Sequence, residues 1–488
     1  MGFLEGSAIT SEAKNNLSRV ALVTGTLASP GLCRIADELT KQGVVEATVV
    51  TLPIQVAALL TTPWVERKLT LPAGQRFDRV VLPGYCGGDV TPLAQKLGVE
   101  VVQGPQDMRD LPEYFGQKQV WQPVIDKPRL EIIAEINHAA SLSMDQILQQ
   151  ARQLAAAGAD VIDIGCDPQT DRPAWMGVAD VVQQLVAMGL RVSVDSFHPQ
   201  EVELACHAGA ELVLSVNSHN AHLAKEWNAA QVVVLPDDPH TLEGLDRTLE
   251  ILHRDGVRYR IDPIIEPIGF GFAASLGRYL DVRRKYPEAA MMMGIGNLSE
   301  MTEVDSAGVN AMLVGFCLEQ KIHSVLTTQV ANWARSSVKE IDIARRMMQV
   351  AIDHQRPPKK IDDRLVMLRD RKLRPGSREE LEALAASLTD PNVRIFTQGE
   401  AIHAMSRDFH VTGNDPFELF DQMGIDNASH AFYLGYEMAK AMTAITLGKN
   451  YTQDQSLSWG MHTISEKSRH ERRKKNTRTD LDADASQA

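Results

Sequence analysis

The chain has 488 residues, 44% hydrophobic and 23% charged, with a formal net charge of −13 at pH 7. That length gives ample core for two to four domains, and the acidic balance argues against a general nucleic-acid binder. No stretch approaches the roughly 18 uninterrupted apolar residues of a membrane span, and the N-terminus lacks the basic-then-apolar order of a secretory signal. The five cysteines, Cys33, Cys86, Cys166, Cys206 and Cys317, are scattered without CxxC spacing. That usage fits a reducing cytoplasm and makes a structural zinc site improbable.

Residues 1–17 read as a flexible leader. Residues 18–126 read as a small Rossmann-like α/β domain. In it, RVALVTGTLASPGLCRIADELTKQG (19–43) gives strand, Gly turn and helix; EATVVTLPI (46–54), FDRVVLPGYCGGD (77–89) and VEVVQGP (99–105) follow as strands. Gly84, Gly87 and Gly88 permit tight turns and close backbone approach. A phosphate nest is one reading of them, and plain turns are the other. There is no GxGxxG or Walker sequence.

Residues 127–350 carry eight apolar runs that alternate with helix-sized segments. The runs are LEIIAEIN (130–137), ADVIDIG (159–165), LRVSVDS (190–196), ELVLSVN (211–217), QVVVLPD (231–237), YRIDPII (259–265), AAMMMGIGN (289–297) and GVNAMLVGF (308–316). Near-continuous Val/Ile/Leu runs suit parallel strands buried on both faces. Eight such units close most simply as a (β/α)8 barrel. The first connecting helix, within 143–159, has a Ser cap and Gly158 at its end. Pro199 marks a first helical turn. Seven runs end in a small polar or acidic residue: Asn137, Asp163, Asp195, Asn217, Asp237, Asp262 and Asn297. In a barrel of this kind the strand C-termini form the active-site face. Each residue alone could be a helix cap or turn starter. As a set they read as a site, because carboxylates inside apolar runs are costly without partners.

A helix VKEIDIARRMMQVAIDHQ (338–355) is stopped by Pro357 and Pro358. Residues 351–377 form a charged linker, 378–465 a C-terminal α/β module, and 466–488 a disordered charged tail.

The ordered pieces Asn137, DIGCD (163–167), SVDS (193–196), SVNSHN (215–220) and DPIIEPIGFGF (262–272) resemble the pterin-binding superfamily. That superfamily holds the dihydropteroate synthases and the pterin-dependent corrinoid methyltransferases. The flanking TGTLASPGL, VAALLT, LPGYCGGD, GPQDMRDLP, SHAFYLGYEMAKA and YTQD are similar to three-part dihydropteroate synthase-related proteins. These are typical of archaea and of bacteria that use tetrahydromethanopterin. The resemblance implies a reduced pterin as substrate or ligand, an arylamine as the second small molecule, and a homodimer without membrane or nucleic-acid partners. It implies Asp195, Asn217 and Asp262 as pterin binders, with Asp163 in the same set, and Asn297, Asp262 and Asn137 as catalytic positions. Asn137 lies where the synthases hold diphosphate and its Mg2+. A pterin edge suits such groups: a carboxylate accepts two N–H bonds, and an Asn satisfies donor and acceptor together.

The departures are as informative. GCDPQ stands where a synthase has GGEST, Phe272 where it has a Lys, and GIGNLSE and VGFCLEQKIH where it has Ser-Arg-Lys and Arg-x-His. Cations for a leaving diphosphate are reduced, and Arg172, Lys321, Lys440 and Lys449 are the candidate replacements, beside His430 and Asp454. His138, His219 and His323 could add polarity. Asn297 resembles the Asn that the methyltransferase branch places near the reacting nitrogen. The implied activity is joining a dihydropterin methylene, from its diphosphate, to an arylamine. The alternatives are a pterin-dependent methyltransferase and a non-catalytic reduced-pterin carrier.

Overall fold

The computed structural model describes residues 17–466, apart from 106, 117–124, 126, 168, 170, 171, 375 and 376. The expected leader and charged tail lie outside the described residues, save Leu17 and Glu466. The chain divides into two compact units, Met1–Gln122 and Pro123–Ala488.

In the first unit, β1 (Arg19–Thr24), β2 (Glu46–Thr51), β3 (Arg79–Leu82) and β4 (Glu100–Gln103) form a parallel sheet in the order β2-β1-β3-β4. Alternate residues of β1 enter two different cores: Ala21 and Val23 pack with Leu52, Leu60 and Val65, while Val20 and Leu22 pack with Leu32 and Leu39. Burial on both faces is why the run shows no polar alternation. Gly88 has φ 118°, and a Cβ there would run into Thr62. Its sequence signal is therefore explained by close packing of backbone on the helix Thr62–Lys68.

The second unit holds the closed barrel. Its strands are β5 (Glu131–Ile136), β6 (Val161–Gly165), β7 (Val192–Asp195), β8 (Leu212–Val216), β9 (Gln231–Val234), β10 (Tyr259–Ile261), β11 (Ala290–Met293) and β12 (Ser324–Thr327), joined in that cyclic order. Every pairing is parallel. Ile133, Val161, Leu212, Leu214, Val233 and Met292 fill the barrel interior, and the outward residues of the same strands pack on the helices. The helix Met144–Ala157 starts with a capping box between Ser143 and Gln146 and ends at left-handed Gly158. Pro199 opens the helix Pro199–Ala208.

One expected strand is corrected. GVNAMLVGF lies inside the helix Ser306–Glu319, and the eighth strand is the four-residue SVLT of β12. The helix is apolar nearly all round, burying Asn310, Leu313, Val314 and Cys317 and lying against the helix Ser337–Asp353. A short apolar run buried on most sides has no periodicity that separates helix from strand.

Beyond the barrel, β13 (Arg394–Gln398), β14 (Ala401–Met405) and β15 (His410–Gly413) form an antiparallel sheet. The helices Pro416–Met423 and Ala428–Leu447 cover it over a separate core of Ile395, Ile402, Leu419, Leu434 and Met438. No helix among the described residues is long and apolar enough to cross a membrane.

Candidate functional site

The C-terminal ends of the barrel strands carry a continuous group of acids. Glu135 on β5 and Asp163 on β6 are partners across the strand pair, Asp163 in turn faces Ser193 on β7, and Asp195 pairs with Gly165. Side chains two apart on one strand share a face, so Asp163 and Gly165 point alike. A Cβ at Gly165 would collide with the Glu135 carboxylate. The glycine thus makes the space in which Glu135 sits.

Asp163 is wholly buried. Its Oδ1 accepts from Ser193 Oγ at 2.7 Å, and its Oδ2 has no partner. Burial, then the charges of Asp195 and Glu135, push its carboxyl well above the usual range. Asp195 accepts from Ser215 Oγ, yet burial still raises it. Glu135 is pushed up to about 7 by burial and then by Asp195 and Glu300. Thr328 Oγ1 donates to Glu300 at 2.8 Å, and the backbone N–H groups of Val330 and Ala331 at 2.9 and 2.6 Å. These bonds pin the loop after β12 to the loop after β11.

Asp262, just past β10, is 4% exposed. Its Oδ1 accepts from the buried Tyr279 hydroxyl at 2.6 Å and from the Ile264 N–H at 2.8 Å. Burial lifts its carboxyl to about 6 against the opposing pull of Tyr279 and the N–H groups of Ile264 and Gly294. Ile264 sits at φ 65°. A β-branched residue there is strained, and the strain is held by the bond to Asp262 and by Arg278 donating to the Ile264 carbonyl at 2.9 Å. Arg278 also binds Glu266 at 2.9 Å.

Asn297 and Asp262 meet at Gly294: a Cβ there would lie 3.7 Å from Asn297 Nδ2 and 3.9 Å from Asp262 Oδ2. Asn297 Nδ2 donates to the Ile265 carbonyl at 3.3 Å. Asn297 and Asn137 both line a cleft of about 300 Å³, with Glu135, Glu300, Met301, Leu326, Thr328 and Val330 on its walls. Among the described residues the lining has two carboxylates and no Lys or Arg. Exposed apolar side chains crowd the loops on this end of the barrel, among them Met176, Phe197, Ile268, Phe270, Met301 and Val330. Asn217 is occupied more locally. Its Oδ1 accepts from the His219 N–H at 3.0 Å, a turn of the kind Asn commonly builds. Asp237, another of the strand-end acids, accepts from Ser218 Oγ at 2.6 Å.

The structure therefore brings Asp163 and Asp195 together with Glu135, and Asp262 together with Asn297, while Asn137 shares the cleft. None of the expected cations lines the cleft. Arg172 is paired with Glu201 at 2.7 Å. Lys321 and His323 precede β12, so they lie at the opposite end of the barrel; the His323 carbonyl accepts from the Glu131 N–H at the start of β5. Their misplacement follows from the misread eighth strand. Lys440 is paired with Glu437 at 2.9 Å and Glu466 at 3.1 Å, and Lys449 donates to the Met367 carbonyl at 2.7 Å. His138, at φ 49°, and His219 are exposed; His219 lies 3.7 Å from Asp237. Asp454, at φ 63°, is a turn residue whose N–H reaches Glu437 at 3.4 Å, and His430 lies stacked on Tyr433. Sequence reasoning missed Glu135, Glu300 and Tyr279. Glu135 was findable, two residues before Asn137 and hence on its face of β5. Tyr279 and Glu300 reach the site only through helix and loop packing.

Residues 18–106 match a family of unknown function, and residues 136–254 match the family model of pterin binding enzymes. An uncharacterized protein of Methanocaldococcus jannaschii is 24% identical over 90% of this chain and 98% of its own length. Among solved structures, dihydropteroate synthase of Yersinia pestis, bound to a pterin–sulfa conjugate, is 19% identical with a TM-score of 0.37; it covers 46% of this chain and 94% of its own. The synthase of Xanthomonas albilineans, in complex with 7,8-dihydropteroate, is 21% identical with a TM-score of 0.36 over the same shares. The family match lies on the closed barrel that gathers the Asp163, Asp195 and Asn217 motifs at one end, so residues 136–254 of this chain are similar to pterin binding enzymes.

Proposed function

We propose that the barrel binds a reduced pterin and transfers its C6 methylene to an arylamine, as a dihydropteroate synthase does, in folate-type or tetrahydromethanopterin-type cofactor synthesis. The observation that carries the reading is the pair Asp262 and Asn297, held at one strand end by Tyr279, Ile264 and Ile265 beside an open cleft. In this reading Asp195, Asp262 and Asn217 take the N–H edge of the pterin, with Asp163 behind them. Asn297 and Asn137 face the reacting carbon. The amine nitrogen attacks the methylene, the C–O bond to diphosphate breaks with its electron pair, and Glu135 accepts the proton from nitrogen. Preorganised positioning is the main contribution such a site can make.

Among the described residues no three His, Cys, Asp or Glu side chains form a metal-binding group. Asn137 by itself offers Mg2+ one neutral oxygen, so no step is assigned to the ion. A diphosphate entering this cleft would have to bring its own countercharge. The cleft's two carboxylates and missing cations favour a second reading, in which a reduced pterin is carried, or gives up a methyl group, without any diphosphate.

One assay separates them. The first reading expects Mg2+-dependent release of diphosphate from the dihydropterin diphosphate when p-aminobenzoate or a ribofuranosyl-aminobenzene phosphate is supplied. Tight binding of reduced pterin without any diphosphate release, with either amine, replaces the first reading with the second. The homodimer implied by the resemblance and the cytoplasmic location read from the cysteine usage belong to the same proposal, with sedimentation as the check on the dimer.

A further inference from the structure

Three carboxyl groups on three adjacent strands lead from the cleft to Asp195, which the proposed function gives to the pterin edge. Glu135 lines the cleft, and Asp163 stands between Glu135 and Asp195 on β6. Among the described residues two side-chain donors serve the three: Ser193 on Asp163 and Ser215 on Asp195. No hydrogen-bond donor among the described residues reaches Glu135. Among the described residues, the other titratable groups facing the cluster are Glu300 and Cys166, neither of them cationic. The nearby cation, Arg172, is turned to Glu201.

Asp163 is the decisive member. It is 0% exposed, and its Oδ2 is a buried oxygen without a partner. An unpaired carboxylate in such a place is far costlier than a neutral acid. Two more carboxyls beside it, with no cation, add to that cost. Neighbouring buried carboxyls resist ionising together, and where they interact strongly their protons belong to the group more than to one member.

We propose that Asp163 holds a proton at neutral pH and shares it with Asp195 and Glu135, making the three a proton store that connects the pterin edge to the cleft. Asp163 touches neither ligand in this scheme and is a positioning residue. A proton taken by Glu135 from a substrate passes to the store and then to water, and Asp195 becomes anionic when pterin N–H groups dock on it. The second use rests on the pterin reading; the stored proton does not.

Infrared difference spectroscopy on the full-length, ligand-free protein tests the store first. At about pH 8, a full unit or more above an ordinary carboxyl or histidine, wild type should still show a protonated-carboxyl carbonyl band, and Asp163→Asn should lose it. Ser193→Ala, which keeps the acid and removes its donor, should shift the band and retain it; this variant decides the matter if Asp163→Asn does not fold. A spectrum without that band in wild type, or the same band in wild type and Asp163→Asn, overturns the proposal. Calorimetry of reduced-pterin binding in two buffers of different ionisation enthalpy then reads the coupling. Wild type should release a proton on binding, and Asp163→Asn should release less than half as much. Binding without proton release overturns the link between the store and the ligand. Absence of pterin binding overturns the functional reading and the link together, and leaves the infrared result to stand or fall alone.

Discussion

Glu131 and Glu135 stand four residues apart on β5, on the same face of the strand, and the protein treats them in opposite ways. At the N-terminal end of the barrel Glu131 is gripped by Arg191 and Arg260. Burial pushes its carboxyl up, and the two guanidiniums overcome that and hold it below the ordinary value. At the C-terminal end Glu135 meets Asp195, Asp163 and Glu300, with no cation beside it among the described residues, and it rises to about 7. The first end spends its charges on closing the barrel. The second leaves them unneutralised, which stability alone would not select and which marks functional sites.

Breaking the N-terminal network should have the largest effect. Arg260→Met leaves a buried Glu131 short of a partner, and we expect a loss of about 3–5 kcal/mol in urea denaturation. Glu135→Gln, on the same strand, should instead leave stability within about 1 kcal/mol or raise it at pH above about 7. Equal losses for the two would erase the distinction between the ends.

The pH dependence of stability sharpens it. Asp262 has a folded-state value raised to about 6, so the native state keeps a proton that the unfolded state has released. Stability assigned to this group is therefore highest below about pH 4 and falls as pH rises to about 6, by up to about 3 kcal/mol. Asp262→Asn should flatten that fall in denaturation curves taken across this range. An unchanged slope would mean that Asp262 is already ionised in the native protein.

Ligand binding comes next in size. Asp195→Ala and Asp262→Ala should each weaken reduced-pterin binding at least tenfold, corresponding to about 1.5–3 kcal/mol for a charged hydrogen-bonded partner. Fluorescence titration on variants with native circular dichroism decides this, and full affinity in both would move the pterin away from these strand ends. The smallest effect concerns Ile264. Its left-handed backbone suits glycine better than any side chain with a Cβ. Ile264→Gly should be more stable than Ile264→Ala by about 1 kcal/mol, although it removes more apolar surface. The reverse order in thermal melts would show that packing, and not backbone strain, governs the loop that holds Asp262.

Much of the barrel was legible in the chain. Seven of its strands lie within apolar runs whose length and composition suit a sheet covered on both faces, and the helix caps at Ser143, Gly158 and Pro199 follow from local chemistry. The acids at strand ends were visible because a carboxylate in an apolar run needs a reason. The eighth strand was not visible, since SVLT is only four residues long while the buried helix before it is more apolar. That one substitution of helix for strand sent Lys321 and His323 to the wrong end of the barrel.

What sequence by itself determined was local: where strands and helices form, and that Glu131 and Glu135 share a face, because the two-residue period of a strand needs no tertiary contact. Which end would be neutralised was decided only by folding. Arg191 and Arg260 are 60 and 129 residues from Glu131 along the chain, and Tyr279 reaches Asp262 from the following helix. A carboxyl's charge state depends on every group within a few ångströms and on the water excluded around it. Those neighbours are set by barrel closure, and the letters LEIIAEIN carry no trace of them.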